Sequence, residues 1–327
     1  MKKYSIMYLF VFFGAISLIL ISCNGNQKYV KENSILDIKS KIKEINDNLS
    51  IYEEPSQTFK IIGGKPTKII GKLGTIITIN PKDLVTEDGK LIGNNIELEL
   101  KEMINQEQLL RTNAQTLSNG QLLISGGAYY INITSNGNQL KLKDGKNLSV
   151  EFPKITNDEM TLFFGNRDSL GQINWQQSVK NIKLKPKRKV KFVSKEEKLP
   201  MTINGVVFGY VKPTKQQRRV IDEQMKNLEN EKSVYEAIQL NKLGWINCDR
   251  FASVKNKTKM TCIFNTKDRI ETAKLYLVFK EINSVMSINY FLNENNEHPP
   301  CFDNIPVGEK VKLIAFYFKK GKTFSFK

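Results

Sequence analysis

Residues Leu243 to Phe251 read LGWINCDRF and hold one of the two tryptophans, a cysteine, an aspartate and an arginine. The surrounding chain is mostly lysine, asparagine and aliphatic residues, so the stretch is either a reactive site or a piece of core. Read as a strand, it sends Trp245, Asn247 and Asp249 to one face and Ile246, Cys248 and Arg250 to the other. Read as chemistry, it is poorly equipped. A nucleophilic cysteine needs a base to take the thiol proton, and the chain has a single histidine, His298. One histidine and scattered cysteines give no zinc spacing, and no phosphate loop, dinucleotide fingerprint or Gly-x-Ser-x-Gly is present. No catalytic residue, metal or cofactor is therefore expected. Glycoside hydrolysis needs only two carboxylates, and the chain has 33 Asp and Glu residues, so a carboxylate-based hydrolase stands as the alternative. The nonapeptide reads first as fold signature, carried by Gly244, Trp245, Asn247, Asp249 and Arg250, with Trp175 upstream.

Cys248 and Cys262 lie symmetrically about Lys255, in the turn SVKNKTKM. A hairpin turning at Lys255 would oppose them and bring their β-carbons near disulfide distance. The expectation is a Cys248–Cys262 bond with Cys301 left single.

The amino terminus gives the compartment. Lys2 and Lys3 precede the apolar run YLFVFFGAISLILIS, which ends at Cys23. A basic start and a short apolar core read as a secretory signal over 1–22. The last four residues of that region, Leu20, Ile21, Ser22 and Cys23, resemble the lipobox of bacterial lipoproteins. The resemblance implies acylation of Cys23 and an oxidising compartment, in which a disulfide is permitted. One acyl chain binds a membrane only marginally, and two or three hold firmly. No later apolar run approaches the ~20 residues of a spanning helix. Asn24 does not resemble an inner-membrane retention signal, and CNGNQKYVK lacks the acidic cluster of some surface-exported lipoproteins. The expected location is the outer membrane, on its periplasmic face.

After a polar tether, Ile35, Ile38, Ile42, Ile45 and Leu49 fall at helical spacing, with Asn33 or Ser34 available as N-cap. The tether and helix together occupy 23–58. From Phe59 the period becomes that of strands, broken by Asn-Gly and Asp-Gly turns, which predicts an antiparallel sandwich. The stretches GKLGTIITINPKDLV, GNNIELELKE, NGQLLISGGAYYI and LKLKDGKNLSVEFP resemble the ZU5 β-sandwich over about Phe59 to Pro153. That family implies an interaction or spacer fold and supplies no catalytic residues. The chain is thus expected to be mainly β, with a first β-rich domain at 59–178 and a second at 200–327. The stretch KNIKLKPKRKVKFVSKEEK, nine of whose nineteen residues are basic, supplies a linker at 179–199. Val220, Ile221, Met225 and Leu228 predict one helix in the second domain. LGWINCDRF, with FFGN and GQINW upstream and IPVGEKVKLIA near the end, resembles a set of uncharacterised bacterial envelope lipoproteins. The resemblance implies a shared architecture and no named activity.

The formal charge is +17, falling to about +15 once Lys2 and Lys3 leave with the signal. A basic chain attracts anions, but an exported, anchored protein rarely meets nucleic acid, and lysine spread over every surface accounts for the balance. The expected function is a lipid-anchored, non-enzymatic binding or scaffold module. Its expected partners are the membrane, through Cys23, and an envelope protein or glycan.

Overall fold

A computed structural model describes residues 32–53, 55–62, 64–90, 92–93, 95–178, 183–184, 199–203, 206–211, 234–235, 238–265, 270, 272–291, 299–319 and 322–326. Cys23 and the run before it, most of the 179–199 stretch, the helix expected through Val220 and Leu228, and His298 lie outside those residues.

The alternating stretches form strands, and the protein is mainly β. In the strand Asn95–Met103, Ile96, Leu98 and Leu100 are buried while Glu97 and Glu99 face the other way. The main path of the central sheet runs Gln57–Ile62, Asn95–Met103, Gln121–Ser135, Gly244–Phe251, Met160–Arg167, Ile173–Gln177, with antiparallel neighbours. A flanking antiparallel sheet runs Ile238–Leu240, Leu148–Glu151, Ile76–Ile79, Thr67–Ile70. Isoleucines, leucines and valines from both sheets meet in one core with Tyr129, Phe152 and Tyr235. This is the expected antiparallel sandwich.

LGWINCDRF supplies its middle strand. Gly244–Phe251 pairs with Gln121–Ser135 on one side and Met160–Arg167 on the other. The alternation holds: Ile246 and Cys248 enter the sandwich core, and Trp245 faces away from it. Two expectations are corrected by this placement. The sandwich takes strands from both sides of the basic stretch, because Ile238–Leu240 and Gly244–Phe251 are built into sheets begun before residue 178. The division at 179–199 is therefore not a division between sheets. Nor does the chain turn back on itself at Lys255. Lys257–Thr261 leaves the sandwich and pairs with Cys301–Pro306, setting Thr261 opposite Cys301. Cys248 lies in the sandwich core and Cys262 in a separate core, and both are free thiols, as is Cys301. Met260, Cys262 and Phe302 face that second core, and alternation turns Cys301 to the other face of the ribbon.

A third, four-stranded sheet runs Val285–Phe291, Thr272–Phe279, Val311–Lys319, Lys322–Phe326. One face, with Leu275, Leu277 and Phe279, packs on the ribbon. The other, with Tyr276, Ile314 and Phe316, packs on the outer face of the central sheet around Phe163, Trp175 and Trp245. The segment Thr112–Ser118 joins the two sheets. Thr116 N–H donates to the Val285 carbonyl (2.7 Å) and the Trp175 indole N–H to the Gln115 carbonyl (2.6 Å). The Gln115 side chain donates to the Ile173 carbonyl (2.9 Å) and accepts from the Ser287 hydroxyl (2.9 Å). Gly165 makes room for Trp175, since a Cβ there would lie 2.7 Å from the indole and 2.6 Å from Ile173.

The isoleucine stripe forms α1, Glu32–Ser50. It folds back on the body, with Ile42 and Ile45 fully buried and Leu49 against the core around Trp175. Asn33 and Ser34, the expected caps, lie inside its first turn.

Candidate functional site

The end of the middle strand is irregular. Asn247 faces Ala128 and Asp249 faces Ser125, so Gly126 and Gly127 share the place opposite Cys248. Such a bulge re-aims the strand, and only glycine fits it. Gly127 has φ of +120°, and a Cβ on Gly126 would sit 2.6 Å from the Cys248 carbonyl. Beneath the bulge Ser125 Oγ donates to Asn247 Oδ1 (3.1 Å) and accepts from Gly127 N–H (3.1 Å). Asn247 Nδ2 donates to Asp249 Oδ2 (2.5 Å), while Asp249 Oδ1 is buried without a partner. Burial pushes the Asp249 carboxyl well above the usual carboxylate range, against the hydrogen bond from Asn247. Burial, and then the Asp249 charge, push the Cys248 thiol up as well. A buried thiol raised in this way is inert.

One residue further, Arg250 emerges. Its Nε donates to Asp158 Oδ2 (2.8 Å) at the edge of an open cleft. The cleft has two neighbouring lobes of ≈ 550 and ≈ 540 Å³, and Ile124, Arg250 and Ile282 belong to the lining of both. The first lobe continues over Ile155, Thr156 and Asp158, the second over Val254, Lys255, Val307 and Glu309. One wall is the turn between Thr272–Phe279 and Val285–Phe291, fastened to the central sheet. Asn283 Nδ2 donates to the carbonyls of Ser125 (2.9 Å) and Ile104 (3.2 Å), and Ser125 N–H donates to the Asn283 carbonyl (2.9 Å). Gln106 Nε2 donates to the Ile282 carbonyl (2.5 Å).

A second polar cluster lies under α1 on the far face of the central sheet. Arg167 donates to the carbonyls of Gly171 (2.6 Å), Thr112 (2.7 Å) and Asn113 (3.0 Å), and its guanidinium lies 4.2 Å from the Trp245 ring centroid. Lys274 is fully buried, and its ammonium donates to Asn46 Oδ1 of α1 (2.6 Å). Burial, and then the Arg167 charge, lower its pKa from 10.5 to about 7, with Asp168 acting the other way. Asn46 also donates to the Leu170 carbonyl (2.9 Å), so the cluster fastens the helix. It touches no cavity described above.

The signature residues thus divide by role. Trp175 and Trp245 are packing bodies, and Gly244 takes φ of +109°. Asn247 and Asp249 are sealed under the bulge, and only Arg250 reaches the cleft. Cys262 packs remotely among Phe302 and its neighbours. The carboxylates lining the cleft are Asp158, Glu281 and Glu309. Asp158 is paired with Arg250, and Glu281 with Lys310 at 3.4 Å. Among the described residues no cluster of His, Cys, Asp and Glu is placed to hold a metal, and no aromatic ring lines the cleft. Sequence reading missed the walls, residues 104–106, 155–158 and 281–283. Two further walls were in view, Ser253 to Asn256 of the SVKNKTKM turn and Pro306, Val307 and Glu309 of the IPVGEK block, which line the second lobe with Arg250. No family model, curated protein or solved structure matches the chain.

Proposed function

We propose that the chain is a lipid-anchored protein of the cell envelope whose β-rich body is a binding or scaffold module for an envelope protein or glycan. The observation that carries this reading is the two-lobed cleft, with one wall pinned to the central sheet and Arg250 in the lining of both lobes. Pre-organisation lowers the entropy lost on binding. Acylated Cys23 would hold the body at the outer membrane, facing the periplasm. Glu32 follows Cys23 by nine residues, a reach of at most about 30 Å, and α1 is fastened to the body through Asn46, Ile42 and Ile45. The cleft would then work close to the bilayer, where anchoring raises the effective concentration of partners in the same membrane. The hydrolase alternative would draw on Asp158 and Glu281, each already held by a cation.

A crosslinked pull-down from envelope fractions tests the proposal, comparing the wild type with Cys23→Ser and with Ile155→Arg, which places a charge in the cleft. A partner captured by the wild type and lost in both variants supports it. Capture that survives both substitutions refutes it, and so does an unchanged membrane fraction for Cys23→Ser.

A further inference from the structure

The seam under α1 closes over polar groups that it does not satisfy. Lys274 is fully buried, and its ammonium, with three N–H groups to place, has Asn46 Oδ1 of α1 as its acceptor (2.6 Å). Strand register sets Asn289 directly opposite Lys274, and both amide atoms of Asn289 are buried with no hydrogen-bond partner. Arg167 adds a second positive charge beside Lys274. Asp168, the carboxylate that acts against it, already accepts from the N–H groups of Leu170 and Gln172 (both 2.9 Å). Docking α1 therefore takes water from an ammonium and an amide and returns one hydrogen bond. Against that, Ile42 and Ile45 are fully buried and Leu49 packs around Trp175, a gain of the same order.

The helix is also placed to leave. Its pairs Asp37–Lys41 (2.8 Å) and Lys43–Asp47 (2.6 Å) lie within α1 and do not tie it to the body. Behind it Ile51 and Tyr52 stand exposed in a turn. The next residue, Glu53, is paired with Lys101 of the strand Asn95–Met103 (2.6 Å). The chain is thus pinned just past the helix, with an exposed turn between.

We propose that α1 is a releasable strap, lifting from the strands Thr272–Phe279, Val311–Lys319 and Lys322–Phe326 about the turn at 51–52 while Glu53 stays pinned to Lys101. Release hydrates Lys274, Asn289 and Asn46 and uncovers the strand Thr272–Phe279. The strap stands on these contacts alone. Its consequence for reach rests on the anchor reading above: with a lipid on Cys23, a released α1 adds its own length to the tether, so the body works at two distances from the bilayer.

Residue-resolved hydrogen exchange of the full-length protein in detergent tests this. The amides from Leu36 to Ser50 should exchange at one common rate, about tenfold or more faster than those of Thr272–Phe279, since a lone helix of this length is marginal in water. Lys274→Met and Asn289→Leu each remove a dry polar group, and each should slow α1 exchange about tenfold or more. Slowing in either variant supports the strap. Exchange of α1 in step with Thr272–Phe279, rates graded inward from Glu32 as in fraying, or α1 exchange no slower in both variants overturns it. The strap is read equally well in Cys23→Ser, so its failure is separate from that of the anchor, which the membrane fraction of the same variant reports.

Discussion

Replacing Lys274 by methionine should stabilise the protein at neutral pH. The side chain is fully buried beside Arg167 and has Asn46 Oδ1 as its hydrogen-bond acceptor. Lowering its pKa from 10.5 to about 7 corresponds to about 5 kcal/mol at roughly 1.4 kcal/mol per pH unit. Methionine matches the shape and removes that cost, but it leaves Asn46 Oδ1 without its donor, a loss of about 1–2 kcal/mol. The expected net gain at pH 7 is about 3 kcal/mol. The sign with pH follows from proton counting. Between about 7 and 10.5 the unfolded chain holds a proton on Lys274 that the folded chain lacks, so wild-type stability rises with pH across that window and is flat, at its lower level, below it. Urea titrations of both proteins at pH 7 and pH 10 read this directly. The Met variant should be more stable at pH 7, and the difference should shrink or reverse at pH 10. A variant less stable than wild type by the same margin at both pH values would refute the reasoning.

Asp249→Asn should be at least as stable as wild type near pH 8. The raised Asp249 pKa gives stability that is complete below the ordinary 3.8 and is lost as pH rises through the folded value; denaturation at pH 5 and pH 8 should show that loss in wild type and not in the variant. Glu102→Ala should cost about 3 kcal/mol in chemical denaturation, because Glu102 accepts from Gln57 Nε2 (2.8 Å) and from the N–H groups of Leu73 (2.8 Å) and Thr75 (3.0 Å). Peptide mapping without reductant should recover Cys248, Cys262 and Cys301 as thiols, and a bond between any two would contradict the register that separates them.

How much of this was legible beforehand depends on the range of the forces involved. Period-two alternation in the Asn95–Met103 strand and the isoleucine stripe of α1 are local consequences of burial, and both were readable. Strand partners were not, because pairing across a sheet is decided by distant sequence. The symmetry of Cys248 and Cys262 about Lys255 was real in sequence but empty in space. The chain past Phe251 gives its last rung to Leu122 through Ala252 N–H (2.9 Å), then crosses to another layer. Of the cleft, Arg250 and the walls at 253–256 and 306–309 were in view, whereas residues 104–106, 155–158 and 281–283 come from segments with no common motif. The Arg167 and Lys274 cluster left no local trace, since a lysine within a strand reads as solvent-facing until the opposite layer is known.

The cleft exists because Gly244–Phe251 runs through the middle of the central sheet and delivers Arg250 at its end. Residue-resolved hydrogen exchange of the native protein tests that placement most directly. The amides of Ile246 to Asp249 should exchange in the slowest class, together with those of their partners Tyr129 and Leu162, and far more slowly than those of the edge strand Gln57–Ile62. Exchange of Ile246 to Asp249 at the rate of the edge strand, in step with Lys257–Thr261, would mean that LGWINCDRF lies in a peripheral hairpin and that the cleft is not built as described.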